Sequence, residues 1–314
     1  MDNKAIPATV KYPDRPITFI VPFGVGGGMD LVARLLEKTS ATHLGQPLVI
    51  VNKPGGAGTN GWNELSAAHP DGYTIGLATP EILLHPLYDS TKFNYPTALE
   101  PLVQISDTPM VMIVLSDQPW NSVADLVEYA KQNPGKLKFG HGGIGSISHI
   151  SGETFAKSAT ITLNQVPFQG SAESMANLLG KHIQITFISP ALLKENMQSG
   201  KIKALAVVGN QRLSDPLLND IPTFKEQGFD VAFSNWFVIA APKELPFEVK
   251  NKLIAGFAKM INDPEFKTAM DKLGLEVAYI DSKDLQEKWI NEKQTLSQTV
   301  QDTGILDLIK SQKK

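Results

Sequence analysis

A glycine-rich loop, VPFGVGGGMD, lies near the start of the chain between an apolar run and a helical pattern. Because Gly24, Gly26, Gly27 and Gly28 have no side chains, a bound group can reach the main-chain N–H groups of the loop. The following helix adds its unpaired N–H groups and the positive end of its dipole. The loop therefore predicts a site for negatively charged oxygens. Substitution of Gly27 by valine is expected to block that approach and to strain the turn.

Four further junctions between a predicted strand and a predicted helix carry glycine or a hydroxyl residue. Thr79-Pro80 and Ser189-Pro190 each have the pattern of a helix N-cap followed by proline. The sequences GHGGIGS and QGSAES provide the other two, with Ser146 or Ser148 as one cap and Ser171 as the other. In an open parallel sheet the carboxyl ends of the strands share one edge, where ligands bind. We therefore expect the five junctions to meet at one edge.

The residue types of these five loops indicate which anion would bind. No lysine or arginine occurs within them, whereas a phosphate-rich ligand normally brings a lysine or an arginine fork. Small carboxylates held by backbone dipoles and hydroxyl groups fit better. Asp30 could accept a hydrogen bond from a ligand amine or cap the first helix. Each junction taken alone is more typical of ordinary helix capping and turn formation.

The composition excludes several classes of function. The 314 residues carry a net charge of −3, which gives no basic surface for nucleic acid. The absence of cysteine excludes disulfides, thiolate metal sites and cysteine nucleophiles. No run approaches the roughly 18 apolar residues of a membrane span. The first sixteen residues contain no apolar signal region, so the chain is either cytoplasmic or a trimmed mature form with an added Met1.

A dinucleotide-dependent enzyme is the main alternative. The pattern G-x-G-x-x-G occurs at 140–145 and at 56–61. The strand that follows the first copy lacks an acidic residue for a ribose, and Lys53-Pro54-Gly55 separates the second from its strand, although Glu81 has suitable spacing. Neither a P-loop nor G-x-S-x-G is present. Ser146 and His149 lack an orienting acid, so a catalytic triad is incomplete, and the histidine spacing does not support a metal site.

Strand and helix patterns alternate along the chain and position these loops. This alternation predicts a three-layer α/β fold with parallel sheets. The C-terminal stretch from Pro246 to Ile309 is mainly helical, with breaks at Asp263-Pro264 and at a strand near 276–280. The predicted strands cover 17–22, 48–52, 74–79, 111–115, 137–140, 164–168, 183–188, 204–208, 236–241 and 276–280.

Two domains are expected, joined by extended segments. The crossings are predicted near 106–111 and 233–238, because no flexible linker separates the halves. The first domain would then comprise residues 1–107 together with 236–314, and the second would comprise 108–235.

Longer stretches of the sequence resemble the receptors of tripartite tricarboxylate transporters. The similarity is carried by YPDRPITFIVPFGVGGGMDLVARLL, LGQPLVIVNKPGGAGTNG, HPDGYTIGLAT, GIGSISHI, VPFQGSAESMANLLG and NWFVIAAP, in this order. It covers the chain from Tyr12 onward. Val25 and Met29 depart from the residues that are usual in the first loop, and Met29 could narrow the site or pack against an apolar ligand body.

The resemblance implies a periplasmic-binding-protein fold of the Venus-flytrap type, in which two doubly wound α/β domains close by a hinge on a ligand in the cleft. The loops that match Phe23–Asp30 and Gly143–His149 would clamp a carboxylate from both domains. The implied ligand-binding residues are Phe23, Gly24, Gly26, Gly27, Gly28, Asp30, Thr79, Gly145, Ser146, His149, Phe168, Gly170, Ser171, Ser189 and Trp236.

The function implied is therefore a receptor, not an enzyme. It would capture a small carboxylate, most simply a dicarboxylate, and deliver it to membrane permease subunits of a tripartite tricarboxylate transporter. We expect a monomer without cofactor, metal or nucleic-acid partner, located in the periplasm or on the extracytoplasmic face. A ligand sensor that acts through a signalling partner is a third possibility, which shares the ligand site.

Overall fold

The structure is a computed structural model that describes residues 11–88 and 91–313. Residues 1–10, on which most of the predicted absence of a signal region depends, lie outside the described residues. The strands, in chain order, are β1 (Ile17–Val21), β2 (Leu48–Asn52), β3 (Thr74–Ala78), β4 (Leu99–Asp107), β5 (Val111–Leu115), β6 (Lys138–His141), β7 (Asn164–Pro167), β8 (Ile185–Ile188), β9 (Ile202–Val207), β10 (Trp236–Pro242) and β11 (Val277–Ile280).

Helices follow most of these strands. They are α1 (Gly28–Leu44), α2 (Thr59–Ala67), α3 (Glu81–Tyr88), α4 (Tyr95–Ala98), α5 (Val123–Gln132), α6 (Ile147–Ser158), α7 (Ser171–Leu179), α8 (Lys194–Gln198), α9 (Phe247–Asn262), α10 (Pro264–Lys272), α11 (Ser282–Asp302) and α12 (Ile305–Gln312).

The strands form two sheets, and each sheet is mixed. The first has the order β11-β4-β10-β3-β1-β2 and the second β7-β6-β8-β5-β9. In the first sheet β1 is parallel to β2 and β3, and in the second β6 is parallel to β7 and β8. Strands β10 and β5 run antiparallel to both of their neighbours. The prediction of wholly parallel sheets is therefore wrong. Strand β5 follows the crossing into the second sheet and β10 follows the crossing back into the first, and each runs antiparallel to its neighbours.

Strand β4 has no counterpart among the predicted strands. It contains Pro101, and proline within an apolar run argues against an interior strand. Here β4 lies between β11 and β10, and the pairing of β10 with β4 has a register shift between Ile239 and Ala240, next to the pair Ala240–Pro101. This irregularity accommodates the proline.

Strand β1 is mostly apolar because both of its faces are covered. In β1, the side chains of Ile17, Phe19 and Val21 belong to the core that contains residues of α1 and α9, whereas Ile20 on the opposite face packs in a core with Trp62 of α2. A strand buried on both faces reads as an uninterrupted apolar run. The predicted three-layer α/β arrangement is confirmed.

The chain passes from the first sheet to the second between Asp107 and Val111 and returns between Val207 and Trp236. Helix α11 packs on β4 of the first sheet and on α3, whereas α12 packs on α11, α3 and α6. The division into residues 1–107 plus 236–314 and 108–235 stays a prediction, which this path of the chain supports.

Candidate functional site

A cavity of about 50 Å³ lies where the two sheets face each other. The loops after β1 and β3 reach it from the first sheet, and the loops after β6, β7 and β8 reach it from the second. The expectation that the five junctions meet at one edge is therefore wrong. They occupy two edges, one from each sheet, which face each other across the cavity. The lining residues are Phe23, Gly24, Gly27, Gly28, Met29, Thr79, Glu81, Met110, Gly142, Ser146, Ser148, Gly170, Ser171, Ser189, Asn235 and Phe237.

The first glycine loop is held by a buried carboxylate. Asp30 Oδ2 accepts hydrogen bonds from the Gly26 amide at 2.8 Å and from Arg34 Nε at 3.0 Å, while Oδ1 accepts from Asn52 Nδ2 at 3.0 Å. Burial opposes ionisation of Asp30, but these hydrogen bonds outweigh it and lower the pKa of the carboxyl. Gly26 itself needs a left-handed backbone, with φ of +78°. Asp30 and Gly26 therefore shape the loop from behind and do not line the cavity.

Gly27 and Gly28 bring the start of α1 to the cavity wall. The backbone of Gly27 is extended, with φ of −76°, and a Cβ there would meet only ordinary contacts, the nearest at 3.5 Å. The predicted strain of a Gly27 substitution is therefore wrong, because the turn does not use a left-handed conformation at this residue. A Cβ on Gly28, by contrast, would lie 2.9 Å from Oγ of Ser189, which follows β8 of the second sheet.

The second glycine loop is ordered by the start of α6. Ser146 is the N-cap of this helix and accepts a hydrogen bond from the His149 amide at 3.3 Å. Ser148 Oγ accepts from the Gly142 amide at 2.9 Å and lies 3.0 Å from Ser146 Oγ. Gly145 has φ of +91°, and its carbonyl accepts from Tyr88 Oη at 2.6 Å. Two hydroxyl groups and a helix N-terminus thus face the cavity.

His149 and Gly145 lie behind this wall. The His149 ring is fully buried, its Nδ1 accepts from the Gly145 amide at 3.2 Å, and its Nε2 is 3.5 Å from Glu153 Oε1. The ring of His141 packs against it with centroids 4.5 Å apart. Burial, and secondly the neighbouring His149, lower the pKa of His141 to about 4. These rings support the loop from within the core.

Phe168 and Trp236 are also placed outside the cavity. Phe168 lies over Gly140, where an added Cβ would come within 2.9 Å of the phenyl ring. Trp236 is fully buried, stacks on Trp289 with centroids 5.8 Å apart and donates from Nε1 to Glu292 Oε2 at 2.6 Å. Nine of the fifteen residues implied by the resemblance line the cavity. Those that do not are Gly26, Asp30, Gly145, His149, Phe168 and Trp236.

Three lining residues that the sequence reading left out belong to the crossings between the sheets. Met110, Asn235 and Phe237 lie in or beside the predicted crossing segments, and Asn235 Nδ2 donates to the Thr108 carbonyl at 3.1 Å. These segments connect one sheet with the other, and both contribute residues to the cavity that lies between the sheets. The predicted crossings were therefore the signal for these residues. Two other lining residues were already noted in the sequence. Ser148 was a possible helix cap, and Met29 differs from the residue that is usual in the first loop of the family.

Glu81 is the one ionisable side chain among the lining residues in the described part of the chain. It begins α3, is 3% exposed and accepts a hydrogen bond at Oε1 from the Ile147 amide of α6, 3.0 Å away. Burial raises the pKa of its carboxyl, and the Ile147 amide and the nearby Thr79 hydroxyl offset this only in part. Glu81 Oε2 has no hydrogen-bond partner within residues 11–88 and 91–313.

Neither a metal centre nor a membrane span is seen in the residues described. These residues contain no cluster of three or more His, Asp or Glu side chains placed to hold a metal ion. In the same two ranges, every helix is too short or too polar to cross a bilayer.

Comparisons with known proteins agree with this picture. A family model for the tripartite tricarboxylate transporter family receptor matches residues 32–305. A UPF0065 protein of Bordetella pertussis is 33% identical over 268 residues, which span 84% of this chain and 82% of that protein. Protein BugT of the same species is 31% identical over 236 residues, which span 74% of this chain and 72% of BugT.

Solved structures show the same fold. The periplasmic binding protein BugD superposes with a TM-score of 0.88 at 33% identity, over 93% of this chain and 99% of BugD. An R. palustris protein solved with adipate superposes with a TM-score of 0.87 at 29% identity, over 93% of this chain and 98% of that protein. The predicted fold class, a periplasmic-binding-protein-like α/β structure, is confirmed.

Proposed function

The chain belongs to the family of tripartite tricarboxylate transporter receptors, and we propose that it captures a small dicarboxylate in the cavity between its two sheets. It then presents the closed, loaded form to the membrane permease subunits of such a transporter. This assigns it to the periplasm or the extracytoplasmic face as a monomeric receptor that performs no chemistry on its ligand.

One observation carries the proposal. The cavity is lined from both sheets by the starts of α1, α6 and α7, by four serines and a threonine, and by no lysine or arginine among the lining residues described. One helix start contributes only about 0.3–2 kcal/mol to anion binding, whereas micromolar affinity requires about 8 kcal/mol. Several starts must act together, and a ligand with two separated carboxylates engages both walls.

The apolar part of the wall suits the body of such a ligand. Phe23, Met29, Met110 and Phe237 line the cavity together with the polar groups. Apolar contacts with a few convergent polar groups are typical of small-molecule sites. The solved relative with adipate binds a dicarboxylate with an apolar chain of the same kind.

Calorimetry with a series of dicarboxylates and their mono-amides tests the proposal. We expect the best dicarboxylate to bind at least about tenfold more tightly than its mono-amide, because each wall holds one carboxylate. Small-angle scattering should show compaction on ligand addition as the two walls close. If the mono-amide binds as tightly, the site reads a single carboxylate; if no carboxylate binds at all, the receptor function is wrong.

A further inference from the structure

Glu81 is a buried acid that joins the two sides of the cavity. It begins α3, after β3 of the first sheet, and its Oε1 accepts a hydrogen bond at 3.0 Å from the amide of Ile147, which begins α6 after β6 of the second sheet. The residue lines the cavity and is 3% exposed. The carboxyl group is therefore buried while the two walls are in contact, and it would return to water if they moved apart.

The charges in the cavity favour a neutral Glu81 once a ligand is bound. The wall carries no lysine or arginine among its residues within 11–88 and 91–313. A dicarboxylate, the ligand of the proposed function, adds two negative charges to the same enclosed space. A nearby like charge raises the pKa of a carboxyl group, and burial without a counter-ion does the same. A bound proton removes the negative charge of Glu81 and with it this repulsion.

The hydrogen bonds around Glu81 suit either form of its carboxyl group. Burial raises the pKa of the carboxyl, and hydrogen bonds from the Ile147 amide and the Thr79 hydroxyl offset this in part. Because Oε1 accepts from the Ile147 amide, the proton is expected on Oε2. A hydroxyl group can donate to an ionised carboxylate or accept from a protonated one. The Thr79 hydroxyl is therefore a suitable partner in both states.

Other ionisable groups lie on the elements that contact Glu81 or α3. Those with interior contacts are His85 and Tyr88 of α3, Tyr95 of α4, His149 and Glu153 of α6, Lys288 and Glu292 of α11, and Lys313 at the end of α12. A chain altered only at Glu81 retains every one of these groups. Their titration, and that of the ligand, therefore cancels when such a variant is compared with the unaltered chain.

From this placement we infer that the receptor binds a proton together with its ligand. As the cavity closes on the dicarboxylate, a proton from the solvent bonds to Glu81 Oε2, and it returns to the solvent when the ligand leaves. This inference rests on the proposed function. Because the coupling of two bound species is reciprocal, the affinity for the ligand is highest in acid. It falls as pH rises from the pKa of Glu81 in the free protein to its pKa in the complex.

Calorimetry on the whole chain with succinate and adipate tests the inference between pH 6 and 9. Measurements in buffers of different ionisation enthalpy count the protons taken up with the ligand. We expect net proton uptake and a fall in affinity of at least about fivefold across this range, the lower end of typical couplings. Binding without uptake at any pH overturns the inference and leaves a carboxylate receptor intact. If neither compound nor any other dicarboxylate binds, the proposed function fails together with the inference.

The variant Glu81→Gln resembles the protonated acid at every pH. Glutamine keeps an oxygen for the Ile147 amide and has no carboxyl group to titrate. Relative to this variant, we expect the unaltered chain to lose affinity as pH rises. At pH 9 the variant should bind at least about fivefold more tightly than the unaltered chain. Weaker binding by the variant at every pH would show that Glu81 only supports the fold, and it overturns the inference.

A spectroscopic measurement on the unaltered chain locates the proton without any substitution. Infrared difference spectra with carbon-13-labelled ligand, whose own carboxyl bands are displaced, should show the carbonyl band of a protonated carboxylic acid when the ligand is added. Absence of this band overturns the inference. Thermal unfolding without ligand verifies that Glu81→Gln is folded.

Glu292→Gln is the matched control. Burial raises the pKa of Glu292 as it does that of Glu81, and Glu292 Oε2 accepts a hydrogen bond from Trp236 Nε1 at 2.6 Å. Glu292 does not line the ligand cavity. We expect proton uptake and the pH dependence of affinity in Glu292→Gln to stay within about twofold of the unaltered chain. Loss of uptake in this variant, with uptake retained in Glu81→Gln, assigns the proton to Glu292 and overturns the inference.

Discussion

Gly28 and Ser189 meet across the cavity at a distance that leaves no room for a methyl group. A Cβ on Gly28 would lie 2.9 Å from Ser189 Oγ and 3.0 Å from Ser189 Cβ. Gly28 begins α1 beside the first sheet, whereas Ser189 follows β8 of the second. The two walls of the cavity therefore touch at a glycine.

Gly28→Ala is expected to weaken ligand binding by about tenfold, which corresponds to about 1.4 kcal/mol. The added methyl group forces the two walls apart, so the closed form becomes less favourable. Calorimetry measures the affinity, and small-angle scattering with ligand measures the loss of closure. Combining Gly28→Ala with Ser189→Gly removes the opposing atoms and should restore most of the affinity. Full affinity in Gly28→Ala alone would show that this contact yields without cost.

Ser146→Ala is expected to lower the free energy of unfolding by about 1 kcal/mol, because an N-cap hydroxyl is lost. Ser171→Ala is the matched control. Ser171 lines the same cavity, but the N-cap of its helix is Gly170 and no side chain caps that helix. Its substitution should change stability by less than about 0.5 kcal/mol. Denaturant unfolding of both variants measures the difference, and equal effects would contradict the capping role of Ser146.

Glu81→Gln should become more stable than the unaltered chain as pH rises. Burial raises the pKa of Glu81 in the folded protein above the unfolded value of 4.5. The folded protein therefore holds this proton more tightly, and its contribution to stability is complete below pH 4.5 and is lost as pH rises through the folded pKa. Denaturant unfolding without ligand from pH 4 to 8 measures the difference. A difference that is constant over this range would contradict a raised pKa.

His141 is expected to make the fold sensitive to acid. Burial and the neighbouring His149 lower its pKa from 6.5 to about 4, against weaker opposing effects of Gln165, the Gly143 backbone and Glu153. The unfolded chain binds this proton first, so stability present above pH 6.5 is lost as pH falls toward 4. The loss is on the order of 3 kcal/mol. In His141→Gln, chemical unfolding should show a shallower decline over this range; parallel curves would assign the acid sensitivity to other groups.

The sequence by itself determined the local elements of this protein. The apolar run of β5 and the glycine loops were located correctly, because burial of a strand on both faces and the start of a helix each leave a local pattern. The order of the longer motifs also indicated the receptor family, which the family match over residues 32–305 confirms.

The tertiary structure alone decided how these elements combine. Local patterns carry no information on strand direction, so the antiparallel entry of β5 and β10 and the presence of β4 were not predicted. The same limit applies to the cavity. Ser146 and His149 are three residues apart, yet Ser146 lines the wall while His149 is buried behind it. Which residue faces a ligand depends on how two sheets dock through long-range contacts, and these are not local properties of the chain.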